Sequence, residues 1–163
     1  MTANHSQLST GRQLVALAGW LLLSFSAAAT GFLITDGSWY AELKKPSWSP
    51  PGAVFGPVWT ALYAMMGFAA WLVWREGGWR VQSKPLTLFL IQWGLNAFWT
   101  PLFFGMRRPD LAFADIIALW VAILLTALAF WHVRRVAGAL MVPYLAWVSF
   151  AAVLNFTLWR MNP

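Results

Sequence analysis

The chain has 163 residues, 60% of them hydrophobic and 10% charged, with 13 tryptophans, a net charge of +6 and no cysteine; its mean hydropathy is +0.61 and its isoelectric point is near 10.6. A water-soluble globule of this size carries about a quarter charged residues, so the composition excludes one and points to a membrane protein with the lipid bilayer as its surroundings. The absence of cysteine excludes disulfides, thiolate catalysis and zinc–sulfur sites. The basic residues stand singly or in pairs at the ends of apolar runs, which suits membrane anchoring and no nucleic-acid partner.

In chain order, residues 1–11 are small and polar and read as a disordered tail, His5 included. Residues 12–161 read as a single transmembrane domain. Charge-free runs cover residues 13–35, 46–74, 85–106, 116–133 and 136–159. A helix needs about 20 residues to cross hydrocarbon. The predicted fold class is therefore an all-α membrane protein, a five-transmembrane-helix bundle with a structured loop between helices 1 and 2. The fourth helix is extended back through Asp115 to an Asp110 N-cap. The first run has no cleavage signature and reads as a retained helix. Charge does not orient the bundle: Arg12, Arg75, Arg80, Lys84, Arg134 and Arg135 on one side face Lys44, Lys45, Arg107, Arg108 and Arg160 on the other.

The loop, WYAELKKPSWSPPGAVFGPVW over residues 39–59, is stiff. Pro46, Pro50 and Pro51 fix their own φ and push the preceding residues into extended conformations, and Pro57 suits the first turn of a helix. Trp39, Trp48 and Trp59 hang flat, weakly polar surfaces on this backbone, as a lid would. In the second run Trp59, Tyr63, Gly67, Ala70 and Trp74 share one helical face, which sets an aromatic hydrogen-bonding pair beneath the lid. Trp71, Trp74, Trp79, Trp131 and Trp159 lie near run ends and read as an interfacial belt.

Gln92, Asn96, Trp99 and Phe103 share a face of the third run. Amides buried in lipid are costly unless paired, so Gln92 is divided evenly between interhelical bonding and a cavity. Pro101 predicts a kink. Asp115 in the fourth run reads as structural, because a proton relay needs several such groups along a path. In the fifth run Tyr144, Trp147 and Ala151 share a face, Asn155 follows one turn on, and the small alanine leaves space between large rings. There is no internal repeat, which counts against alternating access, and no mid-helix acid in the first run, which counts against a proton-coupled pump.

The motifs W-Y-A-x-L-x-K-P-S-W-x-P-P (residues 39–51), G-P-V-W-x-x-L-Y-x-x-M-G (56–67), Q-x-x-x-N-x-x-W-x-P-x-F-F-G-x-R (92–107) and P-Y-L-A-W-x-x-F-A-x-x-L-N-[FY]-x-x-W-R (143–160) resemble the translocator protein family. Its bacterial members are called tryptophan-rich sensory proteins. The resemblance implies that the loop and the C-terminus share the cytosolic side, that Asn96 contacts ligand, and that two chains pair as a homodimer through the third helix.

Together these features predict a cavity in the bundle roofed by the loop, with Trp39, Tyr40, Pro50, Pro51, Trp59, Tyr63, Asn96, Trp99, Tyr144, Trp147 and Ala151 as ligand-binding residues. Lys44 and Lys45 stand at its rim to meet carboxylates. Flat aromatic walls suit a large planar ligand, and the resemblance implies a tetrapyrrole. Without cysteine or paired histidines, protoporphyrin is expected as a ligand rather than a cofactor, with no metal site. The expected function is porphyrin binding in transport, sensing or regulation. The alternative that the resemblance implies is light-dependent porphyrin degradation, with Trp39 and Trp147 as its catalytic candidates. Phe156 replaces the tyrosine of the sterol-recognition pattern discussed in eukaryotic members, so cholesterol is not expected. An all-helical chain fits a bacterial cell membrane or an organellar membrane better than a bacterial outer membrane.

Overall fold

The computed structural model describes residues 9–35 and 37–163; most of the expected tail, with His5, lies outside the described residues. Among the described residues every element is helical: α1 (Thr10–Ser26), α2 (Ala29–Ile34), α3 (Gly37–Glu42), α4 (Gly52–Trp74), α5 (Gly78–Thr100), a π-helical turn (Pro101–Gly105), α6 (Pro109–Val133), α7 (Arg135–Leu140) and α8 (Val142–Met161). Four stretches are long and apolar enough to cross a membrane, Thr10–Gly31, Gly52–Trp74, Pro109–Val133 and Arg135–Met161, where five runs were expected. α5 matches α4 in length, at 23 residues, but its first turns carry Arg80, Gln82, Ser83 and Lys84.

The long helices are apolar around their circumference. Large side chains such as Leu22, Ile91, Leu125 and Val153 stay exposed while others fill the core, as in helices solvated by lipid. α4, α8, α6 and α5 close a ring, with α1 leaning on α4 and α2 on α5. The switch of partner within the first span needs a break, and Ala27–Ala28 supply it: their N–H groups donate to the carbonyls of Ser24 and Phe25, three residues back. The Leu23 carbonyl accepts from the Trp93 indole at 2.7 Å and from the Ser26 hydroxyl at 2.6 Å. A break inside hydrocarbon is tolerated when neighbours satisfy the released groups in this way.

The other interruptions follow the prolines. The kink expected at Pro101 is a π-helical turn, closed by Met106 N–H on the Pro101 carbonyl at 2.8 Å. It ends in a cap in which Arg107 adopts φ 52° and Arg108 N–H reaches the Leu102 carbonyl at 3.0 Å. Glycine or asparagine normally fills that left-handed position; for other residues it costs about 1–2 kcal/mol. The fifth run divides at Met141, just before Pro143, into α7 and α8. Two expected starts shift. Asp110 is in the first turn of α6 rather than at its N-cap, which is Arg108, and Asp110 instead chelates the Arg108 guanidinium at 2.8 and 2.6 Å. α4 begins at Gly52, with Pro51 as N-cap and Pro57 inside the helix.

α1 approaches α4 most closely at Gly67, where a Cβ would lie 2.9 Å from Leu21 Cα and 3.0 Å from the Trp20 carbonyl. Gly67→Ala therefore forces backbones apart. It is expected to lower the melting temperature in detergent, by an overpacking cost of about 1–3 kcal/mol. An unchanged melting temperature would mean that α1 slides freely on α4.

Candidate functional site

Three of the expected site residues meet at the centre of the bundle. The Tyr63 hydroxyl of α4 donates to Asn96 Oδ1 of α5 at 3.0 Å, and Asn96 Nδ2 donates to the Tyr144 hydroxyl of α8 at 3.0 Å. All three residues are buried. Trp59 completes the cluster, stacked on Tyr63 at 5.4 Å between ring centroids and edge-on to Tyr144 at 6.1 Å. Asn96 is thus bonded to protein at both ends of its amide. Gln92, one turn earlier, is buried with neither amide atom bonded.

Trp99 bonds differently: its indole donates to Asn155 Oδ1 at 3.0 Å, and Asn155 Nδ2 reaches the Pro109 carbonyl at 2.8 Å. Its ring stacks on Phe103 at 4.9 Å. Against Phe103 and Phe104 rest Trp39, edge-on, and Tyr40, tilted, both from α3. The loop is therefore docked by aromatic contacts, as its composition suggested. Trp48 adds an edge contact to Phe150 at 6.0 Å and Phe55 one to Trp147 at 5.9 Å. The lysines at the rim part ways. Lys45 turns its ammonium onto the Ala41 and Leu43 carbonyls at the end of α3, over the Tyr40 ring, which is where a helix favours a cation. Lys44 lines a depression.

Two depressions among the described residues lie in different parts of the fold. One, of about 420 Å³, lies beside Trp39 and Lys44 at the end of α8. The other is a groove of about 500 Å³ between α4 and α8, walled by Val58, Leu62, Met65, Ala146, Trp147 and Phe150. Trp39 and Trp147 thus belong to separate depressions. Pro50, Pro51 and Ala151 line neither; the prolines lead into α4, and Ala151 packs half-buried against the core. Of the groove lining Trp147 alone was expected; Val58, Ala61, Leu62, Met65 and Pro143 were missed, and so were Ala146 and Phe150. The signal for the last two was their i, i+4 spacing beside Trp147.

Four indoles serve as links to a neighbouring helix: Trp71 to the Gln13 carbonyl, Trp93 to that of Leu23, Trp99 to Asn155 and Trp120 to Ser149 Oγ. The indole N–H of Trp147 is buried in the groove wall without an acceptor. A buried donor left unpaired costs about 1–3 kcal/mol, which a turn of the ring towards an acceptor would recover. Among the described residues no three His, Cys, Asp or Glu side chains cluster as metal ligands.

These features define an α-helical integral membrane protein with an apolar groove between two of its helices. Residues 13–160 match the TspO/MBR family. The chain is 45% identical over 152 residues to the tryptophan-rich protein TspO of Chlorobaculum tepidum, covering 91% of this chain and 96% of that one. It is 44% identical over 126 residues to the translocator protein of Homo sapiens, covering 76% and 75%. Against the tryptophan-rich sensory protein of Cereibacter sphaeroides the identity is 40% over 147 residues, covering 87% and 91%. The chain belongs to the TspO/MBR family.

Asn96→Leu is expected to destabilise the fold, because it leaves the Tyr63 and Tyr144 hydroxyls buried and unpaired, at about 1–3 kcal/mol each. Adding Tyr63→Phe and Tyr144→Phe to the same chain should recover most of the loss in thermal unfolding. No recovery would show that the amide acts elsewhere than on these hydroxyls.

Proposed function

We propose that the chain is a tetrapyrrole-binding membrane protein that takes up porphyrins and similar planar apolar ligands in the α4–α8 groove, for transport, sensing or regulation. The observation that carries this reading is the groove between α4 and α8, walled by apolar side chains, with the ring of Trp147 in its wall and that ring's N–H buried behind it without an acceptor. Ligand pockets have this composition, apolar with few fixing groups. The rings of Trp147 and Phe150 offer flat faces, and offset stacking adds about 0.5–1.5 kcal/mol per ring pair beyond burial. Ala61, Pro143 and Ala146 are exposed along the groove, so a ligand dissolved in the bilayer reaches it sideways between α4 and α8.

On this reading α5 is the fifth crossing: it packs in the ring against α4 and α6, and its polar first turns precede Pro85, after which no charge occurs up to Arg107. The membrane is a bacterial cell membrane, in keeping with bacterial relatives. A homodimer forms on the outer face of α5, where Ile91 and Phe98 are exposed. The bound porphyrin is a ligand rather than a cofactor.

Trp147→Phe keeps a stacking face and removes the donor. It is expected to weaken protoporphyrin binding about three- to tenfold, the worth of one hydrogen bond, in absorbance titrations of the purified chain, with an unchanged helical spectrum. Equal affinity of both forms would remove the groove from the reading. Illumination separates binder from enzyme. A binder holds the porphyrin spectrum, whereas a defined product formed many times over per chain, slowed in Trp147→Phe, would establish degradation instead.

A further inference from the structure

We infer that the end of the bundle away from the loop carries a cationic collar that binds the phosphate headgroups of acidic phospholipids in the surrounding leaflet. The start of α1, the turn between α4 and α5 and the turn between α6 and α7 form it. It does not depend on the porphyrin reading, which concerns the α4–α8 groove.

Direct contacts join these pieces. The Trp71 indole of α4 donates to the Gln13 carbonyl of α1 at 3.2 Å, and the Arg75 guanidinium lies over the Trp71 ring, 4.6 Å from its centroid. Arg75 thereby stands beside the start of α1, where Arg12 is exposed. One residue on, Glu76 Oε1 accepts from Arg134 Nη1 at 3.0 Å, and the Glu76 carbonyl accepts from Gln82 Nε2 at 3.0 Å. The α4–α5 turn is thus tied to the turn after α6 and to the first turns of α5.

The positive charge of this end is nearly unopposed. Arg12, Arg75, Arg80, Lys84, Arg134 and Arg135 stand here. Among the described acids Glu76 alone joins them, and residues 1–8 hold none. Glu76 is paired with Arg134, and His132 turns Nδ1 to the Leu128 carbonyl at 2.7 Å. The exposed side chains of Arg12, Arg80, Lys84 and Arg135 have no ion pair or hydrogen bond among the described residues. At the loop end, by contrast, Arg108 is chelated by Asp110 and Lys45 is bonded to carbonyls.

Location points to a lipid. Each long apolar stretch has one end here, at Thr10, Trp74, Val133 and Arg135, so the collar lies at headgroup depth. Exposed apolar side chains are interleaved with the cations: Trp79 and Val81 flank Arg80, Trp131 precedes Arg134, and Val136 follows Arg135. A soluble acidic macromolecule would leave these in water. A lipid meets the cation with its phosphate and the apolar side chain with its glycerol and first acyl carbons. The chain bends at Gln82 (φ −106°, ψ 28°), so the turn bearing Trp79, Arg80 and Val81 leaves the line of the helix that follows. A phosphate suits both an arginine fork and a lysine point charge.

The test uses the full chain in nanodiscs of phosphatidylcholine mixed equally with phosphatidylglycerol of the same acyl chains, with retained lipid read by native mass spectrometry. The wild type is expected to retain phosphatidylglycerol in preference. Arg80→Gln, Lys84→Gln and Arg135→Gln should each lower that preference, by up to about fivefold, the worth of one cation near a membrane surface. The triple variant should lower it further. All three positions are exposed, so the core is spared, and thermal unfolding curves check each variant. Glu76→Gln should raise the preference, because it releases Arg134. Lys45→Gln at the loop end should leave it unchanged, because that ammonium is bonded to carbonyls. No preference in the wild type, an unchanged preference in the triple variant, or an equal fall in Lys45→Gln would overturn the proposal. So would a fall in Glu76→Gln. Displacement of the lipid by inorganic phosphate at constant ionic strength would assign the collar to a soluble anion, which also overturns the lipid.

Discussion

A carboxamide inside a bilayer has no water to bond, so its two polar ends must find partners among the side chains around it. Asn96 finds the hydroxyls of Tyr63 and Tyr144, and the result is a three-helix junction of α4, α5 and α8 at one depth. In lipid the hydrophobic effect gives helices little reason to prefer one another over acyl chains. Directional bonds of this kind therefore decide which helices meet and at what height. The α4–α8 groove depends on the junction: the two helices are tied through Tyr63, Asn96 and Tyr144, while Val58, Leu62 and Met65 face Ala146, Trp147 and Phe150 across open space.

The tryptophans extend the same principle. An indole joins a large apolar surface to one N–H, and it can lie in a lipid-facing seam while its donor takes a carbonyl on the next helix. Trp71 and Trp93 hold α1 in this way, beside its close approach at Gly67 and the ring contacts of Trp20 with Phe89 and of Phe25 with Tyr63. Trp99 and Trp120 fasten α5 and α6 to α8 through Asn155 and Ser149. Trp71, Trp93, Trp99 and Trp120, four of the 13 tryptophans, thus act as interhelical links. Against that background Trp147, with its donor unsatisfied, stands apart.

Breaks in the spans give the bundle its shape. Each of them releases carbonyls, and each places its solution within reach: Trp93 and Ser26 at the first, the π-helical closure and the left-handed Arg107 at the third. Because the turn after α5 swings Phe103 and Phe104 under α3, the loop meets an aromatic floor there. The Asn162 amide fastens the adjoining stretch at Lys44. Loop, turn and C-terminal helix end form one assembly at the membrane surface.

The all-helical membrane class, the stiffness and aromatic docking of the loop, the distortion at Pro101 and the family were legible in the sequence, because each rests on local chemistry: runs without charge, proline geometry, and residue types at fixed spacing. Periodicity also put Tyr63, Asn96 and Tyr144 each on the right face of its own helix. What it could not supply was which faces meet. That depends on the helix break at Ala27–Ala28, where no single residue type announces the new direction, and on bonds between residues 33 and 48 positions apart. Tertiary structure alone therefore decided that Asn96 is bonded by two tyrosines while the Trp147 N–H is buried without an acceptor. It also parted Trp39 from Trp147 and Lys44 from Lys45, because adjacency in sequence says nothing of which way a side chain leaves a loop once its backbone is tied to a distant helix end.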